Sequence, residues 1–371
     1  MRATIAIMEG DGIGPEIVPQ GVLALEAIAR RFKHDFTLAD APMGYTRWKN
    51  TGVALSSEVL EICRNSDGIL HGAAGPADSE YVTKDFPPGW GKRQLCRELD
   101  HRISIRPMRV FPAMKNVSPF KPERIEGADI VIVRDMTLIN KQGLNTTGTG
   151  PGGRTAEDRL VFSEDIVARS LKFAFLLAQS RRGKLCLMTQ SSIYATSRLW
   201  LAIFQEMAKD YPDVSTEVMA PDNCAMQLVR NPRVFDVIVT DNTPMGGILN
   251  NIAAMFVGSI GMAPGTSVGL VDGQRYTDMV VRHGLYEPIH GSAPLRAGQW
   301  IVNPIGTILA AAMLLRYSLA LEDEARAVED AVAKVLAEGW RTYDIMEDGM
   351  KKIGTKEMGE RIAAAIRQAG E

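Results

Sequence analysis

The chain has 371 residues, 46% hydrophobic and 23% charged, with a formal net charge of −2. This is an ordinary globular composition, long enough for two domains. So small a net charge supplies neither a basic field for nucleic acid nor an acidic tail, which sets both classes of function aside.

The N-terminus enters strand-like "RATIAIMEG" (2–10) at once, without an apolar h-region. No signal peptide is expected, and a cytoplasmic location is the default. Cys63, Cys96, Cys186 and Cys224 are scattered without CxxC spacing, so neither a zinc site nor a disulfide framework is expected. In chain order, the apolar runs "TIAIM", "DGILHG", "DIVIVR", "KLCLMT" and "FDVIVT" alternate with amphipathic segments. Strands alternating with helices predict a largely parallel sheet covered on both faces.

Between these runs, the Gly/Thr-rich "GLNTTGTGPGGRT" (143–155) is too polar for core and reads as an arm or hairpin, with an anion-binding loop as the alternative. Ser163 is placed to cap a helix whose apolar positions Ile166, Val167, Leu171, Ala174 and Ala178 share one face and which "RRG" ends. Val328, Ala331, Val332, Val335 and Leu336 repeat the pattern, with Gly339 as the stop. "NTPMGGILNN" (242–251) opens a stretch, Asn242 to Val271, without Asp, Glu, Lys, Arg or His. Gly246, Gly247, Gly258, Gly261 and Pro264 interrupt it, so no membrane span is expected.

"MEGDGIGPEIV" (8–18) follows the first strand, and Gly10, Gly12 and Gly14 permit a tight turn or close approach of a ligand to backbone N–H groups. A plain strand-to-helix turn explains the glycines equally. Read with "IRPMRVFP" (105–112), "FDVIVTDN", "LYEPIHGSAP" (285–294) and "VNPIGTILAAAMLL" (302–315), the loop becomes specific. The set resembles the β-decarboxylating dehydrogenases (isopropylmalate, isocitrate, tartrate and D-malate dehydrogenases) from Ile5 to about Asp344.

The resemblance implies a two-domain α/β fold like that of isopropylmalate dehydrogenase, with a mostly parallel sheet, helices on both faces and a cleft between the domains. Residues 1–105 with 262–371 would form the cofactor-binding domain, and residues 106–261, with an arm near 141–156, the substrate and dimerisation domain of a homodimer. The charge-free stretch would then run from the cleft into the dimer interface, where charge is depleted. The implied reaction moves a hydride from C2 of a 2-hydroxy acid to NAD or NADP, with decarboxylation assisted by Mg²⁺ or Mn²⁺. Such chemistry needs arginines for carboxylates, carboxylates for the metal, a Lys as proton acceptor and a Tyr to protonate the enolate.

Carried over position by position, Arg106 and Arg134 match carboxylate-binding arginines, for which a guanidinium fork is suited. Cys96 stands where the pattern has another arginine, and Arg102 is the candidate replacement for that cation. Asp222 matches one metal carboxylate, but Gly247 and Asn251 occupy the positions of two others, so no tightly held metal is expected. Gln190 stands at the catalytic Lys position and cannot titrate, with Thr189 before it; Lys141 stands at the Tyr position and is the remaining ionisable candidate, or else a solvated side chain at the edge of the arm.

For the cofactor, Glu287, His290, Gly291, Ser292 and Ala293 match the cradle of the adenosine half, Asn303 matches the residue that reads adenine, and Ile13 in the glycine loop is a further cofactor-binding candidate. Leu295, followed by Arg296, stands where an Asp for NAD or a Lys for NADP is expected. His71 and Trp340 read as structural, and His101 lies where relatives carry neutral residues. Three functions stay open. The first is an NAD(P)-dependent oxidoreductase on a small anionic 2-hydroxy acid with altered acid–base and metal positions. The second is a non-redox decarboxylase or isomerase on the same fold, and the third a catalytically silent regulatory subunit.

Overall fold

The computed structural model describes residues 1–75, 90–137, 145–241, 244–269 and 283–369. In the first third, β1 (Arg2–Gly10), β2 (Asp35–Asp40) and β3 (Gly68–Ala73) alternate with α1 (Gly14–Phe32), α2 (Tyr45–Thr51) and α3 (Ser57–Arg64). Then come α4 (Trp90–Glu98), β4 (Ile103–Arg109), the short α5 (Pro122–Ile125) and β5 (Asp129–Asp135). A hairpin of β6 (Asn145–Gly150) and β7 (Gly153–Asp158) precedes α6 (Glu164–Gln179), β8 (Lys184–Met188), α7 (Ala195–Met207) and β9 (Ser215–Met219). The chain continues through α8 (Pro221–Arg230), β10 (Val237–Thr240) and α9 (Pro244–Ala254) to β11 (Pro264–Gly269) and β12 (His283–Pro288). It closes on α10 (Ile305–Tyr317), α11 (Glu322–Ala337) and α12 (Thr355–Gln368).

Among the described residues, ten strands form one sheet in the order β2-β1-β3-β12-β11-β4-β5-β10-β8-β9. Each flank is parallel: β2, β1, β3 and β12 on one side, β5, β10, β8 and β9 on the other. The three pairings between β12 and β5 are antiparallel, so the two flanks run in opposite directions within one continuous sheet. Each of the five apolar runs read from the sequence supplies one of these strands, to within two residues at its ends.

The helices follow from their side chains. α10 is buried at every position from Ile305 to Leu315, which is why its sequence is apolar on all sides; α1, α11 and β12 pack around it. The predicted faces of α6 and α11 are buried as expected. Ser163 is the N-cap residue of α6, with extended backbone but no capping hydrogen bond from its hydroxyl. Gly339, at φ +86, follows α11 where side chains rarely go. The Gly/Thr-rich arm is an antiparallel hairpin over 145–158 whose second strand is exposed throughout; residues 141–144 of the expected arm lie outside the described residues.

Candidate functional site

The register of the central strands lines up His71, Glu287, Gly265 and Arg106. Gly265 is opposite Glu287, and the Thr266–Ile105 and Ser267–Ser104 pairings set Arg106 on its other side. Tyr286 pairs with Leu70, which sets His71 beside Glu287. A Cβ on Gly265 would lie 2.0 Å from Arg106 Nη1, so the absence of a side chain there lets the guanidinium cross β11. Arg106 Nη2 comes within 3.5 Å of Glu287 Oε1, and Arg106 Nε donates to Ser104 Oγ at 3.0 Å. From the other side His71 Nδ1 donates to Glu287 Oε2 at 3.0 Å, and Lys92 Nζ, from α4, donates to Oε1.

Burial alone would raise the Glu287 carboxyl, but Lys92, His71 and Arg106 outweigh it and hold the group well below the usual carboxylate range. Burial lowers Arg106 despite Glu287, and lowers Arg134 to about 10, with the Arg106 charge adding to the effect. Arg134, part-buried and disfavoured by the Arg106 charge, gains from a nearby anion.

Cys96 is on α4 one turn after Lys92, is buried, and faces this cluster. Burial pushes its thiol up to about 12, with Lys92 opposing and Glu287 adding to the rise. It therefore contributes no charge at neutral pH. Arg102, the expected substitute, turns elsewhere: its Nε donates to Asp100, which also meets Arg169 at 3.5 Å. The cation that does join the cluster is Lys92, which sequence reasoning missed. Its four-residue spacing from Cys96, one helical turn, is the signal that points to it.

On the second flank, Gly247 opens α9 beside Arg134, and a Cβ there would lie 3.8 Å from Arg134 Nη2. Asp222, at the start of α8, is exposed, with a carboxylate oxygen accepting from the Asn223 N–H; Asn251 is exposed on α9, against which α8 packs. Among the described residues no three His, Cys, Asp or Glu stand close enough to hold a metal ion. One exposed carboxylate, one amide and one glycine do not fit a divalent cation that is held through carboxylates. Gln190 lies just past β8 and donates through Nε2 to Ser192 Oγ at 3.2 Å. Lys141 lies outside the described residues, as do Asn242 and Thr243.

The glycine loop and the 289–296 loop clasp each other. Ile13 N–H donates to the Ser292 carbonyl at 2.9 Å, and a Cβ on Gly12, at φ +58, would strike that carbonyl at 2.0 Å. Asp11 accepts from the Tyr45, Thr46 and Gly75 N–H groups, and Glu16 from Gly298 and Trp300, so both acids hold loops in place. A Cβ on Gly291 would meet nothing within 4 Å, and Ala293 takes a left-handed φ of 38. His290 Nδ1 donates to the Gly291 carbonyl at 2.9 Å, which leaves Nε2 as an acceptor. Burial lowers its basicity, so the ring is neutral near pH 7.

Leu295 is 87% exposed, and Arg296 lies over the Tyr343 ring at 5.0 Å. Asn303 is buried, its Nδ2 donating to Asp344 at 3.2 Å and its Oδ1 accepting from Ile305 N–H at 3.0 Å. Its amide is thus engaged inside the protein. Glu287, grouped with this loop in the sequence, meets Lys92 and Arg106 two residues before the loop begins. The backbone beside Gly291 is left uncovered, and this is where the adenosine half of a dinucleotide would lie if the loop serves as its cradle.

Residues 4–362 match the family described as isocitrate/isopropylmalate dehydrogenase. The chain belongs to this family. It is 41% identical over 368 residues to a 3-isopropylmalate dehydrogenase of Dehalococcoides mccartyi, covering 99% of this chain and 100% of the relative. It is 42% identical over 371 residues to one of Gloeobacter violaceus, covering 99% of each. Among solved structures, isocitrate dehydrogenase from Methylococcus capsulatus superimposes with a TM-score of 0.82 at 29% identity, covering 99% of this chain and 100% of that one. A beta-decarboxylating dehydrogenase from Thermococcus kodakarensis, in its apo form, gives 0.78 at 27%, covering 99% and 96%. Members of the isocitrate/isopropylmalate dehydrogenase family generally use NAD(P) and a divalent metal and act on small anionic substrates. In this chain the fold of the family is kept, and no helix among the described residues is long and apolar enough to cross a membrane.

Proposed function

We propose that the chain is an NAD(P)-dependent oxidoreductase acting on a small anionic 2-hydroxy acid, with acid–base and metal positions altered from those of its relatives. The observation that carries this reading is the Arg106–Glu287–Lys92 cluster lying directly before the 289–296 loop, with Arg134 near Arg106. A cluster of cationic side chains two residues from a candidate dinucleotide loop supports a carboxylate-bearing substrate bound beside the cofactor. A bound dinucleotide would accept the hydride from C2. Arg106 and Arg134 orient the carboxylate, and the buried setting of the cluster keeps those contacts strong. Gln190 has no proton to exchange at any physiological pH, so the hydroxyl proton falls to Lys141 in this reading. No step is assigned to a metal.

The cofactor-binding domain is assigned to 1–105 with 262–371 and the substrate domain to 106–261. Exposed Met226 and Val229 on α8, Ile248 on α9 and the exposed β6–β7 hairpin support a homodimer, since an isolated hairpin is marginal in water. Titration calorimetry with NAD and with NADP, followed by turnover on D-malate, tartrate, isocitrate and 3-isopropylmalate, tests the proposal. Binding of one dinucleotide in the micromolar range and turnover of at least one acid are expected. No heat with either dinucleotide overturns it in favour of a non-redox or silent protein.

A further inference from the structure

A cavity of about 400 Å³ lies behind the strands that carry Arg106 and Gly265. We propose that it is a second ligand site, for a small apolar monocarboxylic acid whose carboxylate meets the Tyr317 hydroxyl and the Arg109 guanidinium. Successive side chains of a strand face opposite sides of the sheet. Pro107 and Arg109 of β4 line the cavity, so Arg106 faces the other way. Their partners across the β4–β5 ladder, Val131 and Asp129, line it too, as does Pro264 next to Gly265 on β11. Leu177 of α6 forms one wall and Leu309 and Met313 of α10 the other, so the cavity spans both flanks of the sheet. Its volume is in the usual range for a small-molecule site.

Two polar groups define the ligand. Tyr317, at the end of α10, lines the cavity and is only 6% exposed, and its hydroxyl makes no hydrogen bond among the described residues. Burial raises the pKa of this phenol, so at neutral pH it keeps its proton and lacks an acceptor. Arg109 is 56% exposed, and among the described residues its one ion pair is a 3.7 Å contact with Glu329 Oε2. The other oxygen of Glu329 accepts from Arg316 Nη1 at 2.5 Å. The remaining arginines of the lining are engaged: Arg181 with Asp129 and Asp236, Arg316 with Glu322 and Glu329, and Arg326 with Glu322. A carboxylate accepts from a phenol and a guanidinium together, which an ammonium or a bare hydrocarbon cannot do. The apolar floor and walls require a hydrocarbon body behind that head group, since a second charge placed against them would be desolvated without a partner.

The test is calorimetric titration of the full chain with 1-naphthoate, with 1-naphthylmethylammonium and naphthalene-1-methanol as isosteres of other charge. Naphthoate is expected to bind at least about tenfold more tightly than either. Tyr317→Phe removes the donor and keeps the shape, and should weaken naphthoate by about tenfold or more, as loss of a hydrogen bond to a charged group does. Arg109→Gln should weaken it by a few-fold, because that guanidinium is largely solvated. Met313→Trp, which fills the cavity, should abolish binding, and Tyr317→Phe decides the matter if that variant does not fold. Arg106→Lys, on the opposite face, should leave naphthoate affinity unchanged. No binding of naphthoate, equal or tighter binding of the ammonium or the alcohol, or unchanged affinity in folded Tyr317→Phe overturns the proposal. So does loss of binding in Arg106→Lys, which would place the acid in the Arg106 cluster. The outcome is independent of the oxidoreductase reading, because the titration involves neither dinucleotide nor turnover.

Discussion

Arg106 and Glu287 meet across a strand that places no side chain between them. Gly265 lies in register with both, and the guanidinium occupies the space where its Cβ would be. Gly265→Ala is therefore expected to push Arg106 off the carboxylate and lower stability by about 1–3 kcal/mol, the usual range for overpacking. Chemical denaturation measures it. Gly291→Ala, where nothing lies within 4 Å, serves as the control and should leave the unfolding midpoint in place.

Glu287 has a folded-state pKa depressed by Lys92, His71 and Arg106 against the effect of burial. A depressed carboxyl contributes stability that is fully present above its unfolded value, about 4.5, and is lost as pH falls below that towards the folded value. Unfolding free energy measured from pH 6 down to pH 3 should fall across the lower part of that range. In Glu287→Gln that part of the slope should be missing. The variant should also be weaker at pH 7 by about 3–5 kcal/mol, because Lys92 and Arg106 would lose their counter-ion in a buried setting. A variant as stable as wild type at neutral pH would contradict the ion cluster.

A second pH response comes from His101, which is buried and bonds through Nε2 to His283 Nδ1 at 2.9 Å, while His283 Nε2 donates to the Cys63 carbonyl at 2.6 Å. Burial, and then the His283 charge, hold His101 well below the ordinary imidazole value. The unfolded chain takes up this proton near pH 6.5 and the folded one does so only at lower pH, so stability declines as pH drops below about 6.5. His101→Gln keeps a donor for His283 and removes the titration. Its unfolding free energy should be flatter than wild type between pH 6.5 and 5, and an unaltered slope would place the titrating group elsewhere.

The absence of a carboxylate at Gly247 and Asn251 has a direct consequence for metal removal. Turnover should survive exhaustive dialysis against EDTA, and added Mg²⁺ or Mn²⁺ should leave the melting temperature unmoved. Activity that disappears with chelator and returns with metal would show that a divalent site exists despite these residues.

How much of this was legible in the sequence follows from how local each signal is. The five apolar runs and the helical faces of α6 and α11 repeat with the period of their own elements, so they could be read directly. Arg106 and Arg134 could be singled out as candidates because they sit inside the stretches "IRPM" and "VIVRD" that carry the resemblance. Lys92 was not, since its relevance depends on α4 reaching Glu287 on β12, 195 residues later in the chain. The pairing of Glu287 with Arg106 was hidden for the same reason: a glycine gap is visible only once three strands are in register. Arg102 looked suitable by proximity, yet Asp100, two residues away, claims it.

The reversal of strand direction at β11, β4 and β5 has a mechanical corollary. Because backbone hydrogen bonds run without a break from β2 to β9, the two flanks are not joined by a slack tether. Any rotation of one flank against the other must be absorbed as extra coiling of those middle ribbons, much as a torsion spring stores a turn. Arg106 and Gly265 sit on that spring, so the Arg106–Glu287 contact and any winding of the sheet engage the same few strands.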